Sequence, residues 1–276
     1  MAKLGNLASR VLVAVIAIPL LLLAIYQDQH AIVWGLVLAA SALTMYELFA
    51  MTMDDKQDRL VMTALGLAAC AGLYWLPARY APTLTPFLLA FFGPALYLLF
   101  RPGDMSSVAS RLGCSTFGIV YAGLLFTFLA VIKRDFGPHS GDYVVLILCT
   151  AWLSDTGGYF AGKFLGKRKL YPAISPNKTW AGSIGGVAAA VAGGIVLQTW
   201  RLEGLAWFDV VALAGVGSVL GQLGDLVESM LKRSFGVKDS GAILPGHGGL
   251  LDRVDAVLFI APYFYVYALM RGGGFL

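Results

Sequence analysis

Apolar runs of membrane-spanning length recur along almost the whole chain, and they fix what it can fold into. Hydropathy places nine, over about residues 11–26, 31–52, 60–78, 84–100, 113–132, 142–162, 180–200, 207–230 and 251–270. A spanning helix needs about 20 apolar residues, and in hydrocarbon each backbone amide and carbonyl must be satisfied within the segment. The expected fold is therefore an all-α polytopic membrane protein of about nine transmembrane helices. The fourth run, TPFLLAFFGPALYLLF, is short and carries Pro86 and Pro94, so an eight-span count stands if it is re-entrant. Composition agrees: 58% of residues are hydrophobic and 13% charged, half of the ~25% usual in a soluble domain. The first run, with Pro19 and no small-residue cleavage site, reads as a span rather than a cleavable signal.

Lys and Arg set the orientation. In a nine-span arrangement fourteen of the twenty basic residues share the side of the N-terminus, five lie opposite, and Arg253 falls within the last span. The positive-inside rule then makes the N-terminus cytoplasmic and turns the charged loops after spans six and eight to the cytoplasm, where nucleotides are. Two regions follow from composition. Residues 1–140, spans one to five, are almost pure membrane sequence; residues 141–276, spans six to nine with two charged loops, carry the polar constellations. Trp34, Tyr80, Trp180, Trp200 and Trp207 stand near run ends as interfacial aromatics do. The seventh run, with AGSIGGVAAAVAGG, suits close helix packing through small residues. Cys70, Cys114 and Cys149 occur singly, without CxxC spacing, as structural thiols do.

An ionised residue at the centre of a membrane helix costs about 2.5–3.5 kcal/mol, so polar stretches among these runs mark function. The eighth run ends GQLGDLVESMLKRS, with Asp225 and Glu228 on one helix face; the ninth opens LLDRVDAVLF, with Asp252 and Asp255 likewise three apart beside Arg253. Four acids at the ends of consecutive helices suit one hard cation, and Mg²⁺ is the natural choice. The alternative is that Asp252 pairs with Arg253 or Lys232 and caps its helix. Between the two runs, Gly246, Gly248 and Gly249 surround His247 just before a helix start, offering amides and a positive dipole end to a phosphate. His247 then touches phosphate or ribose, or merely caps the loop.

The second constellation covers residues 153–186. Asp155 lies inside the sixth run; Lys163, Lys167, Arg168 and Lys169 follow as a basic loop; Ser175, Asn177, Lys178 and Thr179 form a turn-like polar stretch. These side chains suit a nucleoside triphosphate, with Lys178 the sharpest candidate. The alternative for the basic loop is a topology signal or a contact with anionic headgroups. No Walker A loop is present. Glu47, in the second run, reads as interfacial or paired, without a catalytic role. A transporter also places acids and glycines in spans, but here the charges gather at one face and no inverted repeat is visible.

The run from Ser229 to Asp255, SMLKRSFGVKDSGAILPGHGGLLDRVD, resembles the signature of the phosphatidate cytidylyltransferases, also called CDP-diacylglycerol synthases. The segments SDTGGYFAGK and SPNKTWAGSIGG resemble other recurrent stretches of that family, so the resemblance is specific over residues 150–255. It implies a reaction of CTP with phosphatidate giving CDP-diacylglycerol and pyrophosphate. A metal is implied at Asp225, Asp252 and Asp255. The expected catalytic set is these three with Lys232 and Arg253. Substrate contacts are expected from Asp155, Lys167, Arg168, Ser175, Asn177, Lys178, Ser229, Lys238, Asp239, His247, Gly248 and Gly249. Mg²⁺ is the expected cofactor, with a second, monovalent cation such as K⁺ left open. The expected partners are CTP, phosphatidate, membrane lipids and a second copy in a homodimer, without nucleic acid. In a bacterium the protein would lie in the inner membrane with its active site facing the cytoplasm. A relative acting on an isoprenoid lipid is the neighbouring alternative. The phosphatidate phosphate is already ionised near neutral pH, so direct in-line attack without a general base or a covalent nucleotidyl-enzyme is expected.

Overall fold

The computed structural model describes residues 6–76, 84–241 and 248–271, with side chains from Val15 onward. Helices occupy all nine apolar runs: α1 (Asn6–Ile25), α2 (His30–Thr52), α3 (Lys56–Trp75), α4 (Leu84–Phe100), α5 (Val108–Gly118), α6 (Leu125–Asp135), α7 (Ser140–Leu165), α8 (Trp180–Arg201), α9 (Trp207–Ser234) and α10 (Leu251–Met270). The fifth run differs from a plain helix, because a π turn at Ile119–Leu124 joins α5 to α6. Among the described residues six helical stretches are long and apolar enough to cross a membrane: His30–Thr52, Met105–Asp135, Gly137–Leu165, Trp180–Arg201, Trp207–Ser234 and Leu251–Met270. Val15–Ile25 and Leu84–Phe100 are shorter apolar helices. Two strands, β1 (Lys169–Tyr171) and β2 (Ser175–Thr179), form an antiparallel hairpin pairing Lys169 with Thr179 and Tyr171 with Ser175. The SPNKT stretch expected as a turn is thus a strand, and Lys163, expected in a loop, is on the last turn of α7.

The chain forms two compact units, Met1–Val131 with Asp239–Arg253, and Ile132–Lys238 with Val254–Leu276. In the first unit α2 packs on α3 and on the π turn, with Met45 filling the space a side chain on Gly66 or Gly123 would need. The helix α4 continues without a break through Pro94, while Pro86 lies in its first turn, where a missing amide is harmless. Its buried residues Pro86, Ala90, Pro94 and Leu98 recur every four positions, one stripe on a helix that packs against α3. At ~1.5 Å per residue this helix is about 25 Å long, less than the ~30 Å hydrocarbon core. Buried Asp58 accepts from the Tyr97 hydroxyl at 2.8 Å and pairs with Arg111, tying α3, α4 and α5 through one carboxylate. Asp55 caps α3 by accepting from Gln57 N at 2.6 Å and Asp58 N at 3.3 Å, and these amide bonds hold its carboxyl below the usual carboxylate range. Trp34, expected at an interface, is buried and stacks on Tyr74 with ring centroids 4.3 Å apart.

In the second unit α7 and α8 touch backbone to backbone. A Cβ on Gly182 would lie 2.8 Å from Gly158 O, and one on Gly186 2.7 Å from Ser154 O. The small-residue packing expected of the seventh run is what the structure has. Gly224 gives α9 the same closeness to α10, since a Cβ there would lie 2.7 Å from Asp255 O. Trp200 and Trp207 stand 78% and 70% exposed at helix ends, while Tyr80 lies outside the described residues. Among the cysteines Cys70 is buried, Cys114 and Cys149 are half-buried, and all three are free thiols.

Candidate active site

Within the second unit a cavity of about 590 Å³ opens between α7, the hairpin, α8 and α9. Small residues make room for it: Gly158 and Gly162 on α7 and Gly182 on α8 line it. The hairpin is anchored there because Thr179, at the end of β2, is also the N-cap of α8, its Oγ1 accepting from Gly182 N at 3.1 Å. With that cap fixed, the preceding Asn177 and Lys178 reach the cavity wall. Lys178 Nζ lies 2.6 Å from Asp225 Oδ2, an ion pair between β2 and α9. Gln222, three residues before Asp225 on the same helix, gathers three serines. Ser183 Oγ donates to its Oε1 at 2.5 Å, and its Nε2 donates to Ser183 O at 3.2 Å, Ser218 Oγ at 3.3 Å and Ser154 Oγ at 3.4 Å.

Beside this pair three acids converge. Asp225, Glu228 and Asp255 each offer a carboxylate oxygen, and the three oxygens lie within 4.8 Å of one another. Asp225 and Glu228 share a face of α9 by their spacing of three, and Asp255 comes from α10 where Gly224 lets the two helices close up. Two lysines balance part of the charge, Lys178 on Asp225 and Lys232 on Glu228, the latter at 2.6 Å and one helical turn away. The three acids bring only carboxylate oxygens to one place. That donor set fits a hard divalent cation and offers nothing to a softer one. Ser229 Oγ donates to Asp225 Oδ1 at 3.4 Å.

The first unit holds the other half of the signature. There Asp252 Oδ2 accepts from Gly249 N at 2.9 Å and Ser240 N at 3.1 Å. Gly248 takes a left-handed φ of 78°, and a Cβ on it would lie 2.7 Å from Asp252 Oδ2. Of the amides expected to await a phosphate, that of Gly249 is thus taken by Asp252, and the next two, Leu250 N and Leu251 N, donate to Glu47 at 3.0 and 2.9 Å. His247 and Gly246 lie outside the described residues.

Of the residues expected from sequence, Asp155, Asn177, Lys178 and Asp225 line the cavity together, and Asp255, Lys232 and Ser229 belong to the acid cluster or its immediate pairs. Lys167, Arg168 and Ser175 are not among the lining residues; Arg168 stacks over the Trp180 ring at 6.0 Å. Lys238, Asp239 and Arg253 are exposed. Glu228, not in the expected metal set, stands in the triad of close acids with Asp225 and Asp255. Lys163, named in the basic stretch, lines the cavity together with Gln222 and Ser183, which the sequence does not single out. Glu47 carries no role in the sequence reading, for a lone acid in an apolar run says nothing about a partner 203 positions away.

The model of the cytidylyltransferase family matches residues 8–270, a stretch that includes the cavity and the acid cluster. The phosphatidate cytidylyltransferase of Bacillus subtilis is 36% identical over 237 residues, covering 83% of this chain and 86% of that protein. The phosphatidate cytidylyltransferase of Thermotoga maritima is 31% identical over 280 residues, covering 98% and 99%. That of Brucella suis is 45% identical over 150 residues, a match spanning 54% of this chain and 55% of the relative.

Proposed function

The chain is an enzyme that belongs to the cytidylyltransferase family, and from that premise we propose that it transfers CMP from CTP to phosphatidate, releasing pyrophosphate and forming CDP-diacylglycerol. The observation that carries this reading is the cavity in which Lys178 meets Asp225 beside two further carboxylates. A nucleoside triphosphate needs cations at its phosphates, and a membrane-embedded enzyme can offer them to a lipid nucleophile where helices end. The helix count and basic-residue asymmetry support nine spans with the N-terminus and this site on the cytoplasmic side, in the inner membrane of a bacterium. A homodimer is part of the proposal on the family resemblance.

The nucleophile is a phosphate oxygen of phosphatidate, ionised without help, so no side chain need take a proton. The protein's task is electrostatic: bring an anion to the α-phosphate of another anion and stabilise charge on departing pyrophosphate. Lys178, held at the cavity by Asp225, meets the triphosphate, with Lys163 as a second cation on the same lining. Asn177, Ser183 and Gln222 supply neutral hydrogen bonds that orient the substrate without adding charge. Asp225, Glu228 and Asp255 would hold Mg²⁺, which when bound neutralises phosphate charge. In the signature segment Lys238, Asp239 and His247 are the proposed substrate contacts, and Asp252 serves through the loop ends it anchors.

The test is incubation of purified protein in detergent with labelled CTP, Mg²⁺ and phosphatidate. A labelled liponucleotide is expected with phosphatidate and not with a polyprenyl phosphate. An Rp or Sp α-thio CTP should give inversion at phosphorus, because one displacement inverts and two retain. Retention would overturn the direct attack, and solute uptake into proteoliposomes without any liponucleotide would overturn the enzyme reading in favour of transport.

A further inference from the structure

Glu47 is 3% exposed on an apolar helix, where an ionised carboxylate is costly unless its oxygens are engaged. Both are. Leu250 N donates to Oε1 at 3.0 Å, Leu251 N donates to Oε2 at 2.9 Å, and Ser240 Oγ donates to Oε2 at 3.3 Å. These partners are 193 to 204 positions away in sequence and lie at both ends of the Gly-rich segment that carries the signature. The glycines there are shaped around the carboxylate: a Cβ on Gly241 would lie 2.7 Å from Oε1, and one on Gly249 2.6 Å from Oε2. Asp252 closes the same ends from its own side through Ser240 N and Gly249 N. The two acids thus take up amides that the start of α10 would otherwise leave unsatisfied.

An apolar residue at position 47 would cost less to bury, so the carboxylate's contribution is geometric. Glutamine cannot replace it, because one end of its amide would present a donor to donors. We propose that Glu47 is a positioning residue for the transfer reaction. It pins Ser240 and Gly249–Leu251 to α2 and so fixes the aim of Lys238 and Asp239, the proposed substrate contacts that immediately precede Ser240. This rests on the reading of that segment as a substrate contact given above.

The experiment compares wild type, Glu47→Gln and Ser240→Ala in detergent by amide hydrogen exchange and by steady-state kinetics with each substrate varied. In Glu47→Gln, exchange at Leu250 and Leu251 should quicken at least tenfold. Its kcat/KM for CTP should fall ten- to a hundredfold, while KM for phosphatidate stays within twofold. Ser240→Ala, which removes one of the three contacts, should lower the same constant three- to fivefold and carries the test should Glu47→Gln not fold. Unchanged exchange would overturn the pinning. Faster exchange with unchanged kinetics would overturn the positioning role and remove the segment from the reaction. A wild type that makes no liponucleotide but shows the same exchange contrast would sink the proposed function instead, and is distinguishable from both.

Discussion

The two ends of α9 handle their acids in opposite ways. At its start Asp209, 2% exposed, accepts from the Tyr267 hydroxyl at 2.6 Å and pairs with Arg271 at 3.0 Å. Asp142 on α7 is matched in the same manner, with Arg201 at 2.9 Å and His139 at 3.3 Å. Each carboxylate there has its own cation. At the far end of α9, Asp225 and Glu228 turn toward a third acid, Asp255, and share two lysines. Three carboxylates this close suit a single hard cation bound among them. Burial of an acid is therefore a poor sign of function in this protein; an unbalanced cluster of acids is the better one.

Removing one charge from the unbalanced end should have the largest effect. Asp255→Asn keeps size and is expected to lower kcat/KM by about 10²–10³, the scale of a lost electrostatic stabiliser, and to raise the Mg²⁺ needed for half-maximal rate. Liponucleotide formation across a Mg²⁺ titration checks this, with gel filtration confirming the fold. Full activity at low Mg²⁺ would make the two ends of α9 equivalent and break the contrast. Lys178→Ala comes next. Losing a charge-assisted contact of about 1.5–3 kcal/mol should raise KM for CTP roughly ten- to a hundredfold, with KM for phosphatidate little changed.

What can be read from the sequence is what is local. Apolar runs become helices because a chain in hydrocarbon satisfies its backbone within each segment, and α4 remains helical despite two prolines. The spacing of Asp225 and Glu228 puts both on one face without knowledge of any neighbour. What depends on distant pairing is hidden. Nothing near Glu47 announces Leu250 or Leu251, and the one signal is the cost of an acid in the second apolar run. Trp34 defies its position near a run end for a similar reason: its stacking partner Tyr74 lies on another helix. The hairpin is hidden because SPNKT has turn-forming residues, and its strand pairing with Lys169–Tyr171 reads from neither stretch alone.

At the balanced end, Asp209→Asn removes the counter-charge of Arg271 but leaves an oxygen for Tyr267. A loss of about 1–3 kcal/mol is expected, visible as a Tm lower by several degrees, with activity per folded molecule within twofold. A large fall in kcat at unchanged Tm would mean that this end also serves the reaction.

The smallest effect should come from Arg168→Ala. Arg168 belongs to the basic stretch expected to bind CTP, yet its guanidinium lies over the exposed Trp180 ring at 6.0 Å and does not line the cavity. An exposed cation–π contact is worth about 0.5–1 kcal/mol, and its loss should show in stability rather than in binding. We expect KM for CTP to move less than twofold, against a clear rise for Lys163→Ala, whose side chain does line the cavity. An Arg168→Ala enzyme with a KM raised as far as that of Lys178→Ala would mean that the nucleotide responds to the summed charge of the stretch. The Lys178–Asp225 pair would then lose its special place, and the unbalanced end of α9 would have to be sought beyond the three acids and two lysines that define it here.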